Sequence, residues 1–261
     1  GRSEALIGRY LAERPGHGIT VATKMGRRAA QLAENYVDAN FRAWLDRSRR
    51  NLGVDTIDLV QLHCPPSDVI RADETYATLD ELVSDGIIAA YGVSVETCAQ
   101  ALDAISRPGV QNVQIIVNPF RLKPLEAVLP AAADAGVAIF ARVPLASGLL
   151  SGRYTSDTAF ASNDHRTFNR NGEAFDKGET FSGVPFDVGL AAARALAAAL
   201  PDGVTLSEAS LAWILRQPGV TTVIPGARND AQVRSNCRAD ALLDASADGW
   251  MADFDEAVHA T

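Results

Sequence analysis

The sequence predicts an α/β fold, specifically a parallel (β/α)8 barrel of the TIM type. Short apolar runs rich in β-branched residues alternate with stretches of helical period, which predicts parallel strands joined by helical crossovers. No GxGxxG follows any of these runs, although a doubly wound dinucleotide-binding sheet should carry one after its first strand. The polar residues of the runs gather at their C-terminal ends, where a barrel keeps its chemistry: Lys24, His63, Ser94, Gln114, Asn118, the 144–153 turn, and Gly226 to Arg228. Six strands are visible, so two of a barrel's eight are unaccounted for.

The elements follow in order. Ser3 is a candidate N-cap for an amphipathic helix over Ala5, Leu6, Ile7, Tyr10 and Leu11, stopped by Pro15-Gly16. Strands are expected at 19–25, 57–64, 87–95, 113–120, 137–145 and 220–227. Each is apolar at nearly every residue, as for strands covered on both faces. Helices are expected near 35–52, 74–84, 97–106, 124–135, 187–200, 206–216 and 229–243. Gly53, Gly86, Gly136 and Gly219 stand between helix and next strand, where a left-handed helix C-terminus is wanted. The segment from Tyr154 to Asp187 breaks the rhythm: it is polar, yet dotted with phenylalanines, which predicts a loop that packs over something. No linker or solenoid repeat interrupts the chain, so residues 1–261 read as a single domain.

Composition narrows the function. A net charge of −8, from 32 acidic and 24 basic side chains, argues against nonspecific binding to nucleic acid or to an anionic membrane surface. No apolar run approaches the length of a membrane span. Cys64, Cys98 and Cys237 are scattered and odd in number, which suggests a reducing, cytoplasmic compartment. Cys64 adjoins His63, but no second Cys/His pair has zinc spacing, and no metal is expected.

Four places carry candidate chemistry. Lys24 ends ITVATK, and a lysine at the inner end of a buried strand is costly unless paired or functional; its alternative is a side chain snorkelling to solvent. His63 ends LVQLH and is a candidate acid, base or hydrogen-bond donor, or else a satisfied core histidine. PLASGLLSGR (144–153) offers small residues, free backbone N–H groups and Arg153, a set suited to a pyrophosphate. IPGARNDAQVRSN (224–236) places Arg228 beside a helix N-terminus, with Gln232 and Asn236 on the following face. That is a seat for a phosphate monoester with an adenine or ribose beside it, or a capped surface helix.

Together these stretches resemble the aldo-keto reductase family, in its order, from Gly1 to about Leu243. RSEALIG resembles the SExxLG that opens the family's second barrel helix. VATKM resembles the strand that ends in the catalytic Lys, and DTIDLVQLHCPP the strand that ends in the catalytic His. YGVSVE is similar to the GVSN turn, VQIIVN to the Gln-bearing strand, VPLASGLLSGR to the pyrophosphate loop and VIPGARNDAQVRSN to the 2′-phosphate clamp.

The resemblance implies NADPH-dependent reduction of an aldehyde or ketone to an alcohol by hydride transfer. A Tyr hydroxyl would protonate the developing alkoxide, its pKa lowered by Lys24, and His63 would hydrogen-bond the carbonyl oxygen. Ser94 and Gln114 would hold the nicotinamide carboxamide. Pro144, Leu145, Ala146, Ser147, Gly148, Ser151 and Arg153 would surround the pyrophosphate. Gly226, Arg228, Gln232 and Asn236 would take the adenosine end with its 2′-phosphate. Two positions depart from the family: Val95 replaces the Asn after Ser94, and Arg142 replaces an aromatic that stacks on the nicotinamide. Arg142 is expected to stack in its place and to favour a polar or anionic substrate.

The family's catalytic Asp and Tyr lie in a DTAxxYG stretch directly before GxSExxLG. The chain is therefore expected to lack that Asp and Tyr together with the first two barrel strands. A non-catalytic NADPH-binding regulatory or redox-sensing subunit is the alternative role. Substrate choice is expected to sit in the 154–187 loop and in the tail after Leu243, with Phe160, Phe168, Phe175 and Phe181 as an apolar wall and Arg166 and Arg170 meeting a carboxylate.

Overall fold

The computed structural model describes residues 1–244 and 247–260. They form two compact units. The first comprises Gly1–Gln114 and Asp134–Ala138, the second Ile115–Ala133 and Ile139–Thr261.

In the first unit, α1 (Arg2–Ala12) leads to β1 (Ala22–Met25), α2 (Asp38–Leu52), β2 (Leu59–His63), a short α3 (Ser67–Arg71), α4 (Asp73–Ser84), β3 (Tyr91–Ser94), α5 (Cys98–Ile105) and β4 (Val110–Ile116). The last two residues of β4 belong to the second unit. β1 pairs with β2, β2 with β3 and β3 with β4, all parallel. The central strands β2 and β3 are buried almost throughout, whereas β1, with a single partner strand among the described residues, is largely half-exposed. The apolar faces of α2 and α4 close the outer side: Phe41, Leu45, Leu79 and Leu82 are at most 1% exposed.

Helix ends follow local chemistry. Gly53 caps α2 in the left-handed region, with φ 71°. Thr97 and Gln100 form a reciprocal capping box on α5. α1 starts one residue ahead of the expected Ser3 cap, at Arg2 with Gly1 as N-cap. Its place is fixed instead by Glu4, whose carboxylate accepts bonds from Thr23 Oγ1 (2.7 Å) on β1, and from Ser48 Oγ (2.7 Å) and Asn51 Nδ2 (2.8 Å) on α2. Burial opposes the charge, but these three donors outweigh it and hold the carboxyl down to about 2.

In the second unit, α6 (Lys123–Ala135) is followed by β5 (Ala138–Arg142), a 3-10 turn (Ala146–Ser151), a short α7 (His165–Phe168), α8 (Phe186–Ala198), α9 (Leu206–Arg216), β6 (Val220–Val223), α10 (Asp230–Arg238), a second 3-10 turn (Ala239–Leu243) and α11 (Asp248–Ala260). The last two residues of α6 and the first of β5 fall in the first unit. β5 and β6 pair in parallel. Trp213 on α9 is 1% exposed, and its indole N–H donates to Asp255 on α11 at 2.7 Å. Gly219 has φ 91°, and a Cβ there would meet the Leu129 carbonyl oxygen at 2.9 Å, so this turn needs glycine twice over.

The 154–187 segment has an aromatic interior. Tyr154, Phe160, Phe181 and Phe186 pack with ring centroids 5.0–6.3 Å apart. That supplies the apolar contact which keeps a polar loop folded.

Candidate active site

At the C-terminal ends of the first unit's strands, register lines up the residues singled out from the sequence. His63 pairs with Ser94, and Ser94 with Gln114, so the three form one row across β2, β3 and β4 on one face of the sheet. Lys24 stands opposite Gln61, one pleat pair earlier than His63, on the same face. Thr23 points the other way, into Glu4. Ser94 and Gln114 are buried, while Lys24 and His63 are half-buried.

Beyond the strand ends the chain turns sharply. Cys64 sits in the left-handed region at φ 49°, an uncommon conformation for a side chain other than glycine. Its N–H donates to the Ser94 carbonyl at 2.9 Å, and its Sγ lies 3.6 Å from Ser94 Oγ. Arg27 and Glu96 approach to 4.0 Å above β1 and β3. Tyr36 folds over Gly26, where an added Cβ would meet Tyr36 Oη at 2.9 Å, and donates to Gln31 at 2.8 Å. Burial pushes its phenol up to about 12, although the Gln31 bond and Arg27 pull the other way. A phenol so raised is a weak acid at neutral pH.

The second unit contains a cleft of about 1510 Å³. It brings both phosphate-type stretches together: Pro144, Leu145, Ser147, Gly148, Ser151 and Arg153 on one side, Gly226, Arg228, Gln232 and Asn236 on the other. The 146–151 turn is made by backbone in the left-handed region at Ala146 (φ 47°), Ser147 (φ 55°) and Gly148 (φ 97°). Gly148 also has Tyr154 packed on it, since a Cβ would lie 2.2 Å from Tyr154 Oη. Ser147 Oγ donates to the Glu179 carbonyl at 2.8 Å and accepts from Phe181 N at 3.1 Å, so it ties the 154–187 loop to the turn.

On the opposite wall, Asn229 caps α10 by accepting from Gln232 N at 3.0 Å. Gln232 Oε1 accepts from Arg228 N at 2.7 Å, and Asn236 Nδ2 donates to the Gly226 carbonyl at 3.3 Å. Both amides therefore brace the backbone that presents Arg228, and both residues line the cleft. Glu208, 4% exposed, holds α10 against α9 through Arg238 Nε (2.7 Å) and Ser235 Oγ (3.1 Å). Burial resists its charge, but Thr205, Ser235 and Arg238 keep its carboxyl below the usual range.

A scan against family models matches the Aldo/keto reductase family over residues 1–252. The chain belongs to the aldo/keto reductase family. It is 33% identical over 251 residues to "Aldo-keto reductase str7" of Strobilurus tenacellus, covering 93% of this chain and 70% of that one. It is 27% identical over 254 residues to "NADH-specific methylglyoxal reductase" of Escherichia coli (strain K12), covering 92% and 74%. Among solved structures, it superposes on the glycerol dehydrogenase AKR11B4 from Gluconobacter oxydans with a TM-score of 0.75 at 29% identity, covering 98% of this chain and 76% of that one. The aldo/keto reductases are oxidoreductases of carbonyl compounds that use a nicotinamide cofactor, and the parallel strands with helical crossovers fit their barrel.

Several residues of this aldo/keto reductase sit differently from the sequence expectation. Arg142 is 6% exposed and ion-paired with Glu179, so it is not an open guanidinium waiting for a ring or an anionic substrate. Ala146 is fully buried and does not line the cleft. Arg166 is paired with Asp164 and lies over Phe160 at 4.4 Å, and Arg170 lies over Phe186 at 5.3 Å. These two arginines serve the loop's own packing. Phe168 and Phe175 do line the cleft, whereas Phe181 is buried in the loop's aromatic interior.

Sequence reasoning passed over Gln61, Asn112 and Arg234. Gln61 and Asn112 are 0% and 1% exposed, and the Gln61 side-chain amide donates to Asn112 Oδ1. The signal for both was a polar residue inside an apolar strand, LVQLH and VQNVQII. Arg234 lines the cleft one turn along α10 and was masked by its ordinary helical surroundings. Among the described residues no group of three or more His, Cys, Asp or Glu is placed to hold a metal, and no helix is long and apolar enough to cross a membrane.

Proposed function

We propose that the cleft of the second unit binds NADPH and that the chain serves the reduction of an aldehyde or ketone to an alcohol. One observation carries the cofactor reading. Arg153, Arg228 and Arg234 line the cleft with no carboxylate within ion-pair distance among the described residues, whereas Arg166 and Arg238 beside them are paired with Asp164 and Glu208. Three uncompensated guanidinium groups around a tight glycine turn suit a ligand with several phosphates. Arg153, next to the 146–151 turn, fits a diphosphate; Arg228, braced by Gln232 ahead of α10, fits a 2′-phosphate. Bound NADPH would supply the hydride.

The remaining roles are carried over from the resemblance. Ser94 and Gln114 hold the carboxamide, His63 donates a hydrogen bond to the carbonyl oxygen, and Lys24 is the cation that makes a tyrosine acidic. The six strands correspond to six of the eight in the family's barrel. The sequence contains no DTAxxYG, so it brings neither the Asp nor the Tyr of that set. Carbonyl reduction by these 261 residues alone is then slower by a factor of ~10² to 10⁴ than with a proton donor in place. The second reading is an NADPH-binding regulatory or redox-sensing subunit that turns over barely at all.

The test is a fluorescence titration with NADPH and with NADH, followed by steady-state turnover of a simple aldehyde. Saturable NADPH binding, weaker NADH binding and slow turnover are expected. No NADPH binding at all would sink the reading. Turnover at an ordinary rate would remove the regulatory alternative and the expected loss of a proton donor together.

A further inference from the structure

Behind the His63–Ser94–Gln114 row lies a second polar row that no part of the proposed cofactor chemistry uses. Lys24, Gln61, Gly92 and Asn112 are successive register partners on β1, β2, β3 and β4. Residues paired in this way face the same side of a parallel sheet, about 4.8 Å from strand to strand. Gly92 has no side chain, and a Cβ there would meet the Asn112 carbonyl oxygen at 2.3 Å. Gln61 therefore reaches Asn112 across the intervening strand, and its amide nitrogen donates to Asn112 Oδ1. Asn112 is fixed in turn: its Nδ2 donates to the Ala138 carbonyl at 3.1 Å. The amide orientation of Gln61 is thereby set, with Nε2 toward Asn112 and Oε1 away from it.

Among the described residues Gln61 Oε1 has no hydrogen-bond partner, and Gln61 is 0% exposed. A buried acceptor left unsatisfied is costly, and native interiors rarely keep one without a reason. Its register neighbour on the side away from Asn112 is Lys24. Lys24 carries ammonium donors on a flexible stem that reaches across one strand spacing.

We propose that the Gln61–Asn112 pair positions Lys24, with Gln61 Oε1 as an acceptor for its ammonium group. The inference rests on the reading of Lys24 as the working cation and deepens it. An acceptor held by a fixed amide chain favours the charged form of the lysine and confines its stem to the inner face of the sheet. Gln61 and Asn112 are positioning residues, because they act through Lys24. The other titratable or charged groups at this end of the first unit include Arg27, Arg28 and Tyr36 after β1, His63 and Cys64 at the end of β2, Asp68 on α3, and Glu96 after β3. Glu4 lies behind Thr23 on the opposite face.

The sequence contains only three lysines, Lys24, Lys123 and Lys177, so lysine labelled with carbon-13 at Cε gives three resolvable NMR signals, and Lys24→Arg assigns the one in question. In Gln61→Met, which keeps the length of the side chain but removes the acceptor, the Lys24 titration midpoint falls by about 1 unit, while the other two stay fixed. In Gln61→Glu it rises. In the unmodified chain, nuclear Overhauser contacts link Lys24 Hε to the Gln61 side-chain amide, a measurement that does not depend on either variant folding. An unchanged Lys24 midpoint in folded Gln61→Met, or no such contact in the unmodified chain, overturns the inference. The catalytic reading fails separately, by retained turnover in Lys24→Met of a chain that carries the proton donor.

Discussion

Glu4 accepts a 2.7 Å hydrogen bond from Thr23, the residue directly before Lys24 on β1, and so couples the first helix to the strand that carries the candidate cation. The same carboxylate takes Ser48 and Asn51 from α2, and only 12% of its side chain remains exposed. Its carboxyl is held at about 2 in the folded chain against 4.5 as the ordinary value, so the folded state prefers the charged form. The stability this gives is present above the ordinary value and drains away as pH falls from there toward 2. Glu4→Gln should therefore cost about 1.5–3 kcal/mol at neutral pH. In urea unfolding the variant should lose less than the unmodified chain between about pH 5 and pH 3. Identical pH dependence in the two proteins would show that Glu4 is not the coupling group.

Gly92 is needed for space, since its backbone is in the ordinary extended region and only the neighbouring Asn112 carbonyl excludes a side chain. Gly92→Ala drives a Cβ into backbone rather than into a side chain that can swing aside. It should destabilise by about 1–3 kcal/mol, read as a lowered urea midpoint with an unchanged slope. It should also separate Gln61 from Asn112. A midpoint equal to that of the unmodified chain would mean that β3 and β4 sit farther apart than their register implies.

Much of this was legible in the chain, and the failures have physical causes. The strands announced themselves because central parallel strands are apolar on both faces, as β2 and β3 are. β1 and β6 are shorter than expected, because apolar residues that flank them, such as Ile19 and Ile224, are 44% and 41% exposed and lie outside the paired strand. The glycine punctuation held at Gly53, Gly86, Gly136 and Gly219, all at positive φ, because the left-handed region strongly favours glycine. What the sequence hides is partnership. Arg142 reads as an open cation until Glu179, thirty-seven positions away, is seen beside it. Gln232 and Asn236 line the cleft, yet each also bonds the 226–228 backbone, a bracing role that the sequence does not announce. Contacts between distant segments leave no periodic trace.

The Arg142–Glu179 pair gives a further expectation. Arg142 ends β5 with 8% of its side chain exposed, and Glu179 comes from the 154–187 loop. Removing one member of a buried pair is strongly destabilising because the other charge loses its compensation. Glu179→Ala should cost about 3 kcal/mol and loosen the loop first, seen as faster cleavage within 155–180 by a nonspecific protease. The double variant Arg142→Met/Glu179→Leu should recover most of the loss. If the double variant is no better than the single one, the pair is not the anchor of the loop.

In the proposed cofactor reading, coenzyme choice comes down to Arg228, whose backbone N–H is held by Gln232. Arg228 stands ahead of α10 with its N–H held at 2.7 Å by Gln232 Oε1, and its guanidinium has no acidic partner among the described residues. If it meets the 2′-phosphate, its removal takes away a charge-assisted contact that NADH never makes. Arg228→Ala should weaken NADPH by roughly 10-fold to 100-fold, equivalent to about 1.5–3 kcal/mol, and leave NADH within about 2-fold. Gln232→Leu keeps the guanidinium but frees its backbone, so it should weaken NADPH less. The NADPH loss should also shrink as salt rises, since Arg228 is exposed and screening erodes its contribution in the unmodified chain. Isothermal titration with both coenzymes at two ionic strengths reads all of these effects. Equal weakening of NADPH and NADH in Arg228→Ala would move Arg228 from the 2′-phosphate to a part that the two coenzymes share. Arg234, the other uncompensated arginine on α10, would then be the one to replace next.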